Sequence, residues 1–212
     1  MPRKGLFIVL EGITGSGKST QAFQLGEWLL HQTRKLDTVV VTREYTGSEF
    51  GQKIHHAIMK RSDDPQGDKE RLMEWYVLDR EQHVDTIIAP ALLAGAVVVC
   101  DRYKYSTIAY QGAQGLPVSR LIEENKGFPI PDLVLILNAS PEKALARTEG
   151  SGKEMDKFEK LAFQEKVREF YVKMPSLFPN ENIQVINANQ DVATVQKDII
   201  RAIKPFVDLI AK

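Results

Sequence analysis

The 212 residues include 28 lysines and arginines and 28 aspartates and glutamates, so the formal net charge at pH 7 is zero. This balance lacks the basic field typical of non-specific nucleic-acid binding, and the length suits one domain with its own core. A single cysteine, Cys100, excludes an internal disulfide and fits a reducing compartment. The chain begins without an export signal, and its apolar runs are shorter than the roughly 20 residues that cross a bilayer. We therefore expect a cytoplasmic protein that binds neither nucleic acid nor membrane.

Short apolar runs rich in valine, isoleucine and leucine predict five strands. They cover residues 6–10, 38–41, 96–100, 133–137 and 183–186. Continuous apolar strands are typical of a parallel sheet that is buried on both faces, and such a sheet requires crossover helices. Apolar residues at helical spacing follow the first run and recur over residues 68–93. We predict an α/β fold, with five parallel strands flanked by helices on both faces, as one domain over residues 1–212.

A glycine-rich segment, residues 11–20, joins the first run to the first helical pattern. Gly12, Gly17, Lys18 and Ser19 have the Walker A spacing, in the strand-loop-helix setting of a P-loop NTPase fold. The backbone N–H groups of such a loop bind the β-phosphate of ATP, Lys18 reaches the γ-phosphoryl oxygens, and Ser19 offers a hydroxyl to Mg²⁺. The predicted ATP-binding residues are Gly12, Ile13, Thr14, Gly15, Ser16, Gly17, Lys18, Ser19, Thr20 and, further along the chain, Arg147.

The third apolar run is followed by Asp101, Arg102 and Tyr103. Ligands of open α/β sheets bind beyond the carboxyl ends of the strands, so Asp101 is expected to face the same crevice as the P-loop. There it would share the metal with Ser19. An aspartate at a strand end can instead cap a helix or simply meet solvent, so the position alone does not decide between these readings.

Residues 101–111 read Asp-Arg-Tyr-Lys-Tyr-Ser-Thr-Ile-Ala-Tyr-Gln. This run resembles the signature of thymidylate kinases, an Asp-Arg-aromatic triplet followed by Ser and then by Ala-Tyr-Gln. The resemblance extends from the first strand to the last helix, since Thr42-Arg43-Glu44 and the segment around Arg80 follow the P-loop in the family's order. It implies an enzyme of dTTP biosynthesis, with Mg²⁺ as cofactor, that transfers the γ-phosphate of ATP to dTMP and forms a homodimer.

The resemblance also implies an acceptor site. Arg43 matches the arginine that binds the acceptor phosphate, and Arg102 matches the one that bridges donor and acceptor phosphates. Arginine suits both positions because its planar fork binds phosphate bidentately and keeps its charge. Tyr76 and Arg80, four residues apart on one helical face, match the pair that stacks on the base and hydrogen-bonds it, although this spacing also fits ordinary packing. Further implied substrate-binding residues are Thr14, Ser106, Thr107, Gln111 and Tyr110, the last of which favours deoxyribose.

Four features depart from the family pattern, one of which is Asn138 in place of the aspartate that often ends the fourth strand. Thr14 stands where thymidylate kinases usually carry a carboxylate that contacts the acceptor 3′ hydroxyl, which predicts modest dTMP affinity and relaxed sugar selectivity. Tyr45 stands where the family commonly has proline. Residues 149–157 are polar and contain glycine, which predicts a mobile lid. Family members without a basic residue at the P-loop position held here by Gly15 usually supply lid arginines. This segment offers Lys153 and Lys157, either of which could be only a solvated charge, and Arg147 at its entry is a third candidate for the lid cation.

Two other functions stay open. Thr14 and Tyr45 leave room for a kinase of another nucleotide, such as dUMP. A P-loop switch or assembly ATPase belongs to a different class, and it would not need arginines placed for a second nucleotide. The predicted catalytic residues are Lys18, Asp101, Arg102 and Lys153.

Overall fold

A computed structural model describes residues 5–32, 38–59, 68–149 and 160–211. Its strands are β1 (Leu6–Glu11), β2 (Val39–Arg43), β3 (Val97–Asp101), β4 (Leu133–Asn138) and β5 (Ile183–Asn187). Its helices are α1 (Lys18–Leu30), α2 (Glu49–Met59), α3 (Asp68–His83), α4 (Ala89–Leu93), α5 (Lys104–Ala113), α6 (Val118–Glu124), α7 (Pro141–Glu149), α8 (Leu161–Leu177) and α9 (Val192–Ala211). A π-helical turn, Val84–Ile88, connects α3 to α4.

The strands form one sheet in the order β2-β3-β1-β4-β5, and every neighbouring pair is parallel. This confirms the predicted α/β architecture of a five-stranded parallel sheet flanked by helices. Each strand extends beyond its apolar run, β2 by two residues and the other four by one, and so ends in a polar side chain. These last residues are Glu11, Arg43, Asp101, Asn138 and Asn187. The carboxyl edge of the sheet is therefore polar, while its interior is apolar.

Burial differs between the central and the edge strands. All residues of β1 and β3 are buried, as are the first five of β4. In contrast, β2 has no buried residue and β5 has one, Ile186. The expectation of strands buried on both faces is therefore wrong for β2 and β5, because an edge strand has a neighbour on one side alone.

Helix α1 brings the P-loop against the sheet. Its residues Ala22, Leu25 and Leu29 are buried, as the helical spacing predicts. A Cβ at Gly26 would lie 2.5 Å from Val41 Cγ2, so the absence of a side chain lets the helix pack closely on β2. Within the described part of the chain, no helix has both the length and the apolar character to span a membrane.

Candidate active site

A cavity of about 570 Å³ opens at the carboxyl edge of the sheet. On the β1 side it is lined by P-loop residues 14–21. The ends of β3 and α5 contribute Asp101, Arg102, Ser106 and Tyr110. On the β2 side the lining residues are Arg43, Glu44, Tyr45, His55, Ile58, Met59 and Tyr76, and the remaining ones are Arg147, Thr148, Ala188, Gln190, Val192 and Val195. The sheet register accounts for this arrangement, because Asp101 pairs with Leu10 of β1 on one side and with Arg43 of β2 on the other.

The P-loop closes around Lys18, whose side chain is buried. Its Nζ donates hydrogen bonds to the Ile13 carbonyl oxygen at 2.7 Å and to Ser16 Oγ at 3.3 Å. Burial, with the nearby Arg102 guanidinium as the second contribution, lowers the pKa of Lys18 to about 7. Among the described residues its hydrogen-bond partners are both neutral, and a bound polyphosphate would supply the negative charge that favours the ammonium.

Three glycines of the loop have backbone conformations that other residues rarely adopt, with φ of 144° at Gly12, 76° at Gly15 and 95° at Gly17. At Gly15 space is also lacking, since a Cβ would lie 2.1 Å from the carbonyl oxygen of Ala144 in α7. A basic side chain cannot occupy this position. Any cation in addition to Lys18 must therefore come from outside the P-loop.

Ser19 and Asp101 form a compact oxygen pair at the start of α1. Ser19 Oγ donates to Asp101 Oδ2 at 2.5 Å. The other carboxylate oxygen, Asp101 Oδ1, is buried and has no hydrogen-bond partner among the described residues. A buried carboxylate oxygen without a donor favours a cation, and hydroxyl and carboxylate oxygens suit a hard divalent ion that keeps several waters and phosphate ligands. The pair therefore fits the predicted magnesium site.

Arg102 lines the cavity between its β1 side, formed by the P-loop, and its β2 side. Its Nη1 donates to the Gly12 carbonyl oxygen and to Ser106 Oγ, both at 3.2 Å. Its Nη2 lies 3.5 Å from Thr14 Oγ1 and from Tyr110 Oη, and its Cζ lies 5.3 Å from the centre of the Tyr110 ring. Arg102 thus links the P-loop to α5 while its guanidinium lines the open space.

On the β2 side, Arg43 is exposed at the strand end and Tyr76 reaches the cavity from α3. Tyr45 lies beside Tyr76, with ring centres 6.4 Å apart. The hydroxyl of Tyr45 is hydrogen-bonded to Nδ1 of His55 in α2 at 2.9 Å. This side therefore combines one arginine with aromatic surface, which can hold a phosphate and a planar base.

Arg80 differs from its predicted placement, because it does not line the cavity and its side chain is 1% exposed. Its Nε and Nη2 lie 2.9 and 2.8 Å from Glu44 Oε2. Nη2 also donates to Thr107 Oγ1 at 3.1 Å, and Nη1 donates to Asn125. Thr107 and Gln111 are likewise buried outside the lining. Tyr76 alone of the predicted pair reaches the open space, because the buried Glu44 carboxylate holds the guanidinium behind it.

At the rim, Arg147 lies against the segment between β5 and α9. Both of its terminal nitrogens lie 3.2 Å from the carbonyl oxygen of Ala188, and Nη2 also lies 3.4 Å from that of Gln190. Of the predicted lid, residues 149–157, the structure describes residue 149 alone. Lys153 and Lys157 therefore lie outside the described residues.

Several residues at the site were not singled out from the sequence as functional. Glu11, Tyr171 and His55 had no assigned role, and Glu44 appeared only as part of a motif. Glu11 carried one usable signal, since it directly continues the apolar run of a central strand, where a buried carboxylate needs partners. Tyr171 and His55 carried none, because their partners are distant in sequence.

The fold and the loop define the class: a P-loop protein whose phosphate-binding loop opens into a wider cavity. The Thymidylate kinase family matches residues 10–199. A probable thymidylate kinase of Pyrococcus abyssi is 40% identical over 204 residues, which cover 95% of this chain and 97% of the relative. A probable thymidylate kinase of Thermococcus kodakarensis is 39% identical over 95% of this chain and 98% of the relative, and a thymidylate kinase of Desulfotalea psychrophila is 37% identical over 97% of both. The chain belongs to the thymidylate kinase family.

Proposed function

We propose that this protein is a thymidylate kinase, which transfers the γ-phosphate of ATP to dTMP to give dTDP for dTTP biosynthesis. Membership of the family supports the activity. The observation that carries the proposal is the single cavity that joins a complete P-loop to a second half lined by Arg43 and Tyr76, with Arg102 between them. A nucleotide hydrolase would not need the second half.

The donor half would bind ATP. Backbone N–H groups of the P-loop and the N-terminus of α1 face the phosphates, and Lys18 exchanges its Ile13 carbonyl contact for phosphoryl oxygens. Ser19 and Asp101 would hold Mg²⁺, which when bound offsets charge on the β- and γ-phosphates. Arg147, at the rim, is proposed to contact ATP from the side of Ala188.

The acceptor half would bind dTMP, with its phosphate on Arg43 and its base on Tyr76. An oxygen of the dTMP phosphate then attacks the γ-phosphorus in line, so that a new P–O bond forms while the bond to the β-phosphate oxygen breaks and ADP leaves. Arg102 stabilises the transferred group between two anions that repel each other. Positioning and charge neutralisation are sufficient, so no side-chain nucleophile takes part.

The remaining site assignments are also proposals. Base recognition by Arg80, Thr107 and Gln111 requires that Arg80 exchange one of its present partners for the base, and Ser106 is proposed to act through Arg102. Lys153 is proposed as the lid cation, since Gly15 admits no basic side chain. One domain over residues 1–212, a homodimer and a cytoplasmic location stay predictions.

The proposed function is tested by ADP release from ATP with dTMP, dUMP, dCMP or ribothymidylate, beside a control without acceptor. We expect dTMP to accelerate ADP release by at least about a hundredfold over the control. A bound, well-oriented acceptor phosphate reacts with ATP faster than water, which is the only acceptor in the control. Preference for dUMP would assign a different nucleotide kinase. Equal release with and without every acceptor would indicate an ATPase and contradict the proposal.

Thr14 provides a prediction on acceptor affinity. Its Oγ1 lies 3.0 Å from Tyr110 Oη and lines the cavity. We expect Thr14→Asp to lower the KM for dTMP by about tenfold, because a charged acceptor strengthens a hydrogen bond to the sugar hydroxyl by about 1.4 kcal/mol. Steady-state kinetics with saturating ATP measure this change. Thr14→Asn is the uncharged control of the same size, and an unchanged KM in Thr14→Asp, or an equal fall in both variants, would refute the prediction.

Tyr110 provides a prediction on sugar selectivity. Its ring lines the cavity beside Arg102. We expect Tyr110→Ala to raise the ratio of kcat/KM for ribothymidylate to that for dTMP by about tenfold, because removing the ring makes room for a 2′ hydroxyl. Tyr110→Phe keeps the ring and should retain the ratio of the unmodified protein. A ratio that rises equally in both variants would assign selectivity to the phenol hydroxyl rather than to the ring.

A further inference from the structure

Glu11, the last residue of β1, is completely buried and accepts four hydrogen bonds. Its Oε1 accepts the backbone N–H groups of Tyr103 at 2.8 Å and of Ser106 at 3.1 Å. Its Oε2 accepts the hydroxyls of Ser106 at 2.7 Å and of Tyr171 at 2.9 Å. Burial raises the pKa of Glu11, and the Arg102 guanidinium opposes this shift. A buried carboxylate is costly unless its oxygens are satisfied, as they are here.

These bonds supply the cap that α5 lacks. Tyr103 is the N-cap residue of α5, and its own side chain makes no capping hydrogen bond. The two N–H groups that Glu11 accepts belong to the N-cap and to the third helical residue, positions at which a capping side chain normally acts. The second of them, Ser106 N–H, also lies 3.0 Å from the Tyr103 carbonyl oxygen. In this chain the acceptor comes from β1, 92 residues earlier. The start of α5 is thereby tied to the strand that precedes the P-loop.

The residue directly before this cap is Arg102, whose backbone lies in the left-handed region with φ 74°. For a residue with a side chain this conformation costs about 1 kcal/mol or more and persists where surrounding contacts enforce it. The Arg102 N–H donates to the Leu10 carbonyl oxygen at 2.9 Å, and the next N–H donates to Glu11. Two consecutive residues of β1 thus hold the turn that aims the Arg102 side chain into the cavity.

The network also reaches α8. Tyr171 is buried in that helix, and its hydroxyl lies 2.9 Å from Ser106 Oγ as well as from Glu11 Oε2. Ser106 Oγ in turn accepts a hydrogen bond from Arg102 Nη1. Glu11 therefore holds Arg102 twice, through the backbone at Tyr103 and through the Ser106 hydroxyl.

We propose that Glu11 is a positioning residue for phosphoryl transfer, which acts by enforcing the left-handed turn and the side-chain orientation of Arg102, with Tyr171 as the support from α8. This inference rests on the proposed function, in which Arg102 contacts the transferred group. It assigns a kinetic role to a carboxylate that does not line the cavity.

The first test uses Glu11→Gln and Glu11→Ala. Glutamine keeps one acceptor for the two N–H groups, whereas alanine removes both oxygens. We expect kcat to fall by about tenfold in Glu11→Gln and by about a hundredfold or more in Glu11→Ala, with smaller changes in both KM values, as for lost hydrogen bonds to a charged group. Asp132→Ala is the matched control, because Asp132 accepts the N–H of Phe7 at 2.8 Å at the other end of β1. It should destabilise the protein without lowering kcat.

The second test is a double-mutant cycle with Arg102→Ala. If Glu11 acts through Arg102, Glu11→Gln should lower kcat by less than about twofold in the Arg102→Ala background. Tyr171→Phe, which removes one hydroxyl, should lower kcat a few-fold in the unmodified protein and add little to Glu11→Gln. The proposal would be overturned if Glu11→Gln lowered kcat by the same factor in the unmodified protein and in Arg102→Ala. Full activity of Glu11→Ala would overturn it as well.

A third measurement does not depend on turnover. Amide hydrogen exchange of residues 102–106 should accelerate by about tenfold or more in Glu11→Ala relative to Asp132→Ala, compared at similar unfolding temperatures. The Tyr103 N–H loses its Glu11 acceptor, and the Ser106 N–H keeps only its bond to the Tyr103 carbonyl oxygen. Unchanged exchange there would refute the positioning role. If the unmodified protein fails to phosphorylate any monophosphate while this exchange difference is present, the proposed function fails and the structural role of Glu11 stands.

Discussion

Replacing Arg102 with alanine is expected to lower kcat by about a thousandfold, since an arginine that stabilises the transferred phosphoryl group contributes this much in related chemistry. The guanidinium lies between the P-loop and the acceptor half, within 3.5 Å of both Thr14 and Tyr110. Its effect should be largest in the transition state, where charge spreads over the transferred group. The KM values for dTMP and ATP should therefore change by less than about tenfold. Steady-state kinetics at high enzyme concentration measure all three constants.

The conservative variant Arg102→Lys separates charge from geometry. Lysine keeps the charge but lacks the fork that contacts two phosphates together, so we expect kcat to recover by about tenfold at most relative to alanine. Arg120→Ala is the control, because Arg120 forms surface ion pairs with Glu70 and Glu124 away from the cavity. Its kcat should match that of the unmodified protein. A loss confined to KM in Arg102→Ala would show that Arg102 binds substrate without assisting the transfer.

The second large effect is expected at Asp101. We expect Asp101→Asn to lower kcat by about a hundredfold and to raise the Mg²⁺ concentration for half-maximal rate by about tenfold, because the metal loses a charged oxygen near the phosphates. The present geometry motivates this expectation, as Asp101 Oδ1 is buried with no donor among the residues described while Oδ2 holds the Ser19 hydroxyl. Rates measured over a magnesium titration at fixed ATP test both quantities.

Removal of divalent ions with a chelator should abolish turnover in the unmodified protein and restore it on readdition of Mg²⁺. Asp85→Asn removes an equal charge from an exposed position on the π-helical turn and should leave the titration unchanged. If Asp101→Asn showed the same magnesium dependence as Asp85→Asn, Asp101 would instead be a structural acceptor for Ser19.

Most of the architecture was predictable because it depends on local patterns. Apolar runs separated by helical spacing predict parallel strands with crossover helices, and the Walker A spacing places the P-loop at the first junction. The burial of β2 and β5 was not predictable, since their apolar runs resemble the others. Edge position is set by strand order, which arises from the packing of the whole chain.

The functional site also combines residues that local patterns predict with residues whose placement depends on the packing of the whole chain. The Walker A spacing was enough to select Lys18 and Ser19, and the resemblance to thymidylate kinases added Asp101 and Arg102; all four line one cavity. The spacing of Tyr76 and Arg80 places them on one helical face, yet Arg80 is buried and does not line the cavity. No local pattern shows this, because a helical face says nothing about a buried carboxylate 36 residues earlier in the chain that attracts the guanidinium.

The sequence by itself determined the phosphate-binding loop, the order of strands and helices along the chain, and the kinds of chemistry available at the strand ends, because these follow from composition and spacing over short stretches. Tertiary structure alone decided that Glu11 caps a helix 92 residues away, that Gly15 has no room for a side chain beside α7, and that Arg102 adopts a left-handed turn. The physical reason is that hydrogen bonds and steric exclusion act between atoms that are close in space. Which distant residues become close is a property of the packed chain.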